Sequence, residues 1–121
     1  MTDQELGRLF AEKVLGWHVE ERFGWAGRSD APYRDSLNRE TGHWLHKWHP
    51  CTDIAQAMLG MEKLNAHHKL ITIQNWSDGT WTVHIYESMI LTEGMGVVAA
   101  TDKTLSRAMV QAVLKTVGDA E

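Results

Sequence analysis

A single cysteine, Cys51, two prolines and no long apolar run are the scarcities of this 121-residue chain. With no second thiol there is no internal disulfide, and a reducing compartment is expected. No stretch approaches the roughly 20 consecutive apolar residues of a membrane helix, so no membrane partner is expected. The opening MTDQELGRLF is acidic and amphipathic. Without a basic start and an apolar run, it does not read as a signal peptide. A basic excess is missing as well, since 12 Lys and Arg stand against 16 Asp and Glu, a formal charge of -4. That balance counts against non-specific nucleic-acid binding, which needs positive charge to displace counterions. Internal repeats and low-complexity tracts are absent, and the length suits one domain over residues 1–121 with a single core.

What is present is periodicity, broken once. Thr2 and Glu5 fit a capping box, and Leu6, Leu9, Phe10, Val14 and Trp17 recur at helical spacing, so a helix over 3–15 capped by Gly16 is predicted. Residues 18–43 lose the pattern and hold Gly24, Gly27, Ser29, Asp30, Pro32, Asn38 and Gly42. They read as a long loop reaching to about residue 50, with short extended pieces near 23–25 and 42–48. Pro50-Cys51-Thr52-Asp53 opens a second helix over about 53–66, with an apolar stripe of Ile54, Ala57, Met58, Met61 and Leu64. Residues 69–76 and 80–86 alternate with period two around Ser77-Asp78-Gly79, a β-hairpin. Ile71 and Ile73 share one face, as do Trp81, Val83 and Ile85, with His84 on the less buried side. Gly94-Met95-Gly96 leads into a third strand over 97–100. Thr101 and Asp102 then cap a helix striped by Leu105, Ala108, Met109, Ala112, Val113 and Val117 and closed by Gly118. The order α-loop-α-β-β-β-α describes an α+β fold: a small antiparallel three-stranded sheet packed with about three helices.

Two stretches could carry chemistry. The first, HWLHKWHPC at 43–51, sets His43, His46, His49 and Cys51 within nine residues, with imidazole and thiolate groups that suit zinc. Structural zinc sites join two separated pairs, however, and nothing elsewhere forms a second knuckle, since His67 and His68 are adjacent and face different directions. On a strand His46 faces away from His43 and His49, and on a helix the three drift round the axis before Pro50 ends it. No metal and no cofactor is expected. Cys51 with a neighbouring histidine is the sole candidate thiol nucleophile, and a position at a helix N-terminus should lower its pKa. No oxyanion loop, phosphate-cradling glycine motif or carboxylate pair accompanies it, so the chain does not read as an enzyme.

The second stretch is the loop. Four of the six arginines (Arg22, Arg28, Arg34 and Arg39) fall in it, among Trp17, Phe23, Trp25, Tyr33, Trp44 and Trp48. Arginine offers a planar fork to phosphate or carboxylate, and aromatic faces stack bases or anchor a protein partner. The candidate ligand-binding residues are therefore Arg22, Trp25, Arg28, Tyr33, Arg34, Arg39, His43, Trp44 and His46, with Trp48 expected in the core and Trp25 at the site. The alternative is structural: tryptophans completing a small core with solvated arginines around them. Exposed aromatics and free strand edges also call for a homo-oligomer, a dimer first of all.

AEKVLGW at 11–17, WHPCTDIAQAMLGMEKL at 48–64 and VVAATDKTLSRAMVQAVLKTV at 97–117 together resemble the phage ABA sandwich domain, a family of small bacteriophage proteins. The resemblance rests on caps and helix faces and covers most of the chain outside 18–43. It implies a phage origin and action inside an infected bacterium, in the host cytoplasm, and it supplies no catalytic residues. Joined to the loop's arginines and tryptophans, it points to a counter-defence protein that binds and withholds a small phosphorylated, nucleotide-type immune signal. Direct inhibition of a host defence or replication protein is the alternative. A zinc- or thiol-dependent enzyme centred on 43–51 is the third reading.

Overall fold

The computed structural model describes residues 2–21, 24–28, 37, 44–45, 47–65, 69–87 and 96–117. Helix α1 (Asp3–Leu9) opens as the sequence predicts, with the Thr2 hydroxyl accepting the Glu5 N–H at 3.1 Å. It runs on as a π-helical segment, Phe10–Leu15, which ends at Gly16 in the left-handed region with φ 69°. The wider turn brings the Trp17 N–H back to the Ala11 carbonyl at 2.8 Å. Leu6, Phe10 and Val14 are buried, so the apolar stripe lies as expected.

The stretch expected as a loop contains a small antiparallel sheet. β1 (His18–Glu20), β2 (Trp25–Gly27) and β3 (Trp44–Leu45) pair in the order β1-β2-β3, with Val19 opposite Ala26 and Gly27 opposite Trp44. β2 and β3 fall at the short extended pieces expected near 23–25 and 42–48, whereas β1 and the pairing of the three were not foreseen, because strands of two or three residues are too short to establish an alternation.

Helix α2 (Ile54–Asn65) starts where the proline and its capping run place it, and the Asp53 carboxylate accepts the Ala55 and Gln56 N–H groups at 3.0 and 3.2 Å. Ala57, Met61 and Leu64 are buried, whereas Ile54 and Met58 are exposed. The apolar stripe is wider than the face that α3 and the π segment cover. At Gly60 the Phe10 ring packs so closely on α2 that a Cβ would collide with it.

The second sheet is the predicted one: β4 (Leu70–Asn75), β5 (Trp81–Tyr86) and β6 (Val97–Asp102), antiparallel in that order. Ile71, Ile85 and Val98 stand in register, as do Ile73, Val83 and Ala100. Asp78 accepts the Thr80 N–H and hydroxyl at the hairpin tip, where Gly79 takes φ 90°. β6 continues past residue 100, so the third helix is not capped by Thr101 and Asp102. α3 (Leu105–Thr116) has Thr104 as its N-cap. Asp102 braces this turn from the end of β6, accepting the Thr104 N–H at 3.2 Å and Arg107 Nη1 at 2.6 Å. Gly118, the expected terminator, lies outside the described residues. α3 lies against β5 and β6, and α2 packs on α3. Phe10, Met109, Val110, Val113, Leu114 and Val83 fill the core between them. The fold is α+β, with the element order broadly that expected.

Candidate functional site

The turn that leads into α2 reaches across to α1 and leaves a cleft between them. Lys47 supplies the first bend: it adopts φ 66°, a left-handed conformation uncommon for a residue with a side chain. Gln56 staples the turn from α2, donating to the Lys47 carbonyl at 3.0 Å and accepting the His49 N–H at 2.8 Å. Trp48 is thereby aimed at α1. Its indole N–H donates to the Gly7 carbonyl at 2.8 Å and its backbone N–H to the Gly24 carbonyl at 2.6 Å. Phe10 stacks on its ring at 6.1 Å between centroids, and Trp17 tilts against it at 5.7 Å.

Beside Trp48 opens a cavity of about 230 Å³, lined by Asp3, Gln4, Gly7 and Arg8 of α1, Val19 of β1, Glu21 just after it, Gly24, and His49, Cys51 and Thr52 of the turn. Most of its wall is apolar. Arg8 and Glu21 form an ion pair at 3.4 Å, both about half exposed. His49 Nδ1 sits 2.9 Å from the Thr52 hydroxyl. Asp3 is held from behind by Arg107 Nε at 2.7 Å, and the same guanidinium reaches Asp102. Burial pushes the Asp102 carboxyl up, but the bonds from Arg107 and from the Thr104 amide outweigh it and hold the group below the usual carboxylate range.

Cys51 departs from the sequence expectation. It precedes α2, yet its thiol is buried, with Sγ 3.8 Å from the Asp3 carbonyl. Burial, aided by the nearby Asp3 charge, pushes the pKa up to about 12. Desolvation outweighs the helix terminus, and the thiol is protonated at neutral pH. It is therefore no activated nucleophile. Among the described residues no group of three or more His, Cys, Asp or Glu side chains could hold a metal ion. His43 and His46, half of the proposed zinc set, lie outside those residues.

Of the residues named from the sequence, Trp25, Arg28 and Trp44 are described. Trp44 is buried in β3 and meets the His18 ring edge-on at 6.3 Å. Trp25 is half-buried in β2, and Arg28 is exposed just beyond it; neither lines the cleft. Arg22, Tyr33, Arg34 and Arg39 lie, with His43 and His46, outside the described residues. Trp48, expected in the core, packs on the core cluster and also walls the cleft. Gln4, Gly7, Arg8 and Glu21 were not foreseen. They reach the cleft through contacts far apart in sequence, and the unusual backbone of Lys47 has no residue-type signal.

No helix among the described residues is long and apolar enough to cross a membrane. Comparison with curated proteins and with solved structures returns no match in either. The family model of the phage ABA sandwich domain matches residues 8–114, from α1 through α3, and the chain belongs to that family of small phage proteins.

Proposed function

We propose that this phage protein acts by binding rather than by chemistry, withholding a small nucleotide-type signalling molecule in the cytoplasm of the infected bacterium. The observation that carries the reading is the cleft beside Trp48, an indole-walled, largely apolar cavity that also has charged and polar residues in its lining. Ligand sites are commonly concave, mainly apolar and furnished with a few polar groups that fix orientation. Among the described residues the cleft is lined by two carboxylates, Asp3 and Glu21, and one guanidinium, Arg8, which is paired with Glu21. That charge balance suits the uncharged ring of a nucleotide better than its phosphate. The phosphate is assigned, on the chemistry of the guanidinium fork, to the arginines of 18–43, of which Arg28 is described and exposed.

The test is a melting assay against a panel of cyclic and linear nucleotide second messengers. At least one should raise the melting temperature and be recovered unchanged after denaturation. Arg28→Ala should weaken that response. If every nucleotide leaves the melting temperature unmoved and a host protein co-purifies instead, direct inhibition of that protein is the correct reading. A chemically altered nucleotide would mark an enzyme.

A further inference from the structure

The two edges of the larger sheet differ. At the β6 edge, Lys115 reaches over from α3 and donates to the Ala99 carbonyl at 2.9 Å. That occupies a backbone acceptor which a docking strand would need. Among the described residues β4 has no comparable guard: Leu-Ile-Thr-Ile-Gln-Asn carries no charge and no proline, and it pairs with β5 without a bulge over all six residues. A regular, uncharged strand at the end of a sheet is a ready template for another strand. The burial along it is also unusual for a strand with one face on a core. Thr72, Ile73, Gln74 and Asn75 are all exposed, and Ile73 is 47% exposed while its cross-strand partner Val83 is 0%.

The hydrogen bonds settle which backbone groups look outward. The Trp76 N–H donates to the Thr80 carbonyl across the hairpin, so residue 76 faces β5. Stepping back by twos along the antiparallel ladder, 74, 72 and 70 also bond to β5, leaving the N–H and C=O groups of Ile71, Ile73 and Asn75 at the open edge. The far side of the sheet gives the same parity. Glu87 N–H bonds to Gly96 across β5 and β6, which turns residue 99 outward, where Lys115 meets it.

We infer that β4 pairs antiparallel with β4 of a second copy about a two-fold axis through Ile73, joining two three-stranded sheets into one. Ile73 then lies opposite its own copy, and Ile71 opposite Asn75 of the second chain. All the outward groups of 71, 73 and 75 are satisfied by about six inter-chain hydrogen bonds. The uncharged strand brings no like charges together in a chain of net charge -4. The exposed Ile73 side chains meet at the axis, with Cα atoms about 5.5 Å apart. A self-complementary patch of this kind closes on itself as a dimer.

Light scattering on the full chain at tens of micromolar should give twice 13.7 kDa. Ile73→Lys, at an exposed position, should return the single-chain mass with its circular dichroism retained. Val97→Lys, on the guarded edge and likewise exposed, should remain dimeric. Hydrogen exchange on the unaltered protein is the second readout, with the amides of Ile71, Ile73 and Asn75 slowing as concentration rises. A monomeric wild-type chain, a dimer that survives Ile73→Lys, or exchange at these amides that is fast at every concentration each overturns the assignment.

Discussion

The two three-stranded sheets are built by opposite means. In β4-β5-β6, six-residue strands alternate side chains, so Val83, Ile85 and Ala100 fall on one face and meet Met109, Val113 and their neighbours on the helices. Its order comes from repetition and burial. The β1-β2-β3 sheet has strands of two or three residues, and a few long-distance ties join its surroundings to α1. Among the described residues Trp48 supplies several of these: its bonds to Gly7 and Gly24, and its packing on Phe10 and Trp17. A sheet held by repetition can lose one contact and keep its register. Short strands tied by a few such contacts depend more on each of them, and that places the cleft in the more breakable half of the molecule.

The largest expected effect follows from that difference. Trp48→Ala should cost roughly 3–5 kcal/mol, the range for removing a large packed aromatic. Hydrogen exchange should quicken first at the β1-β2 pairing and only later in β5. Uniform quickening in both sheets would break the contrast. Gly60→Ala strikes the core that serves both halves, since the new methyl meets the Phe10 ring and, at 3.3 Å, Val113. Overpacking of this kind should cost about 1–3 kcal/mol by urea unfolding, and an unchanged midpoint would contradict the close crossing of α2 and the π segment.

The alkaline limb reads the buried thiol under the cleft. The unfolded thiol ionises from 9.0, whereas the folded one stays protonated to about 12. Unfolding thus releases a proton between these values, and stability falls as pH rises through that window, by at most about 1.4 kcal/mol per pH unit. Below 9.0 the thiol contributes no pH dependence. Cys51→Ala should flatten the alkaline limb relative to the parent, and matching slopes would show that the thiol ionises freely in the folded chain. The smallest effect concerns Arg107, which ties α1 to the end of β6 through Asp3 and Asp102. Arg107→Ala should cost about 1 kcal/mol or less, because these groups are partly exposed. Asp102 titrates below its usual value, so its contribution is present above about pH 3.9 and is lost as pH falls through the depressed pKa. Asp102→Asn should remove that part of the acid transition.

The same division explains what was legible in the sequence. Period-two alternation in 69–86 and helical spacing around Ala57, Met61, Ala108 and Met109 announced the larger sheet and its helices, because burial of one face imposes those periods. Capping chemistry placed the starts of α1 and α2. It misplaced the start of α3, because Thr101 and Asp102 have side chains suited to capping but continue β6, and Asp102 braces the cap from two residues earlier. The thiol of Cys51 was misread for a related reason. Its place before a helix is visible in the sequence, whereas its burial against Asp3 belongs to the tertiary fold. The cleft was illegible because Gly7 and Trp48, 41 residues apart, are joined by one hydrogen bond, and no local pattern encodes such a contact.

Under the proposed function the chain holds a small nucleotide-type molecule, and native mass spectrometry of the protein purified from phage-infected cells would reveal it. The chain should carry an intact nucleotide-type molecule that departs unchanged when the protein unfolds. A chain that carries no small molecule and travels instead with a host protein would contradict it.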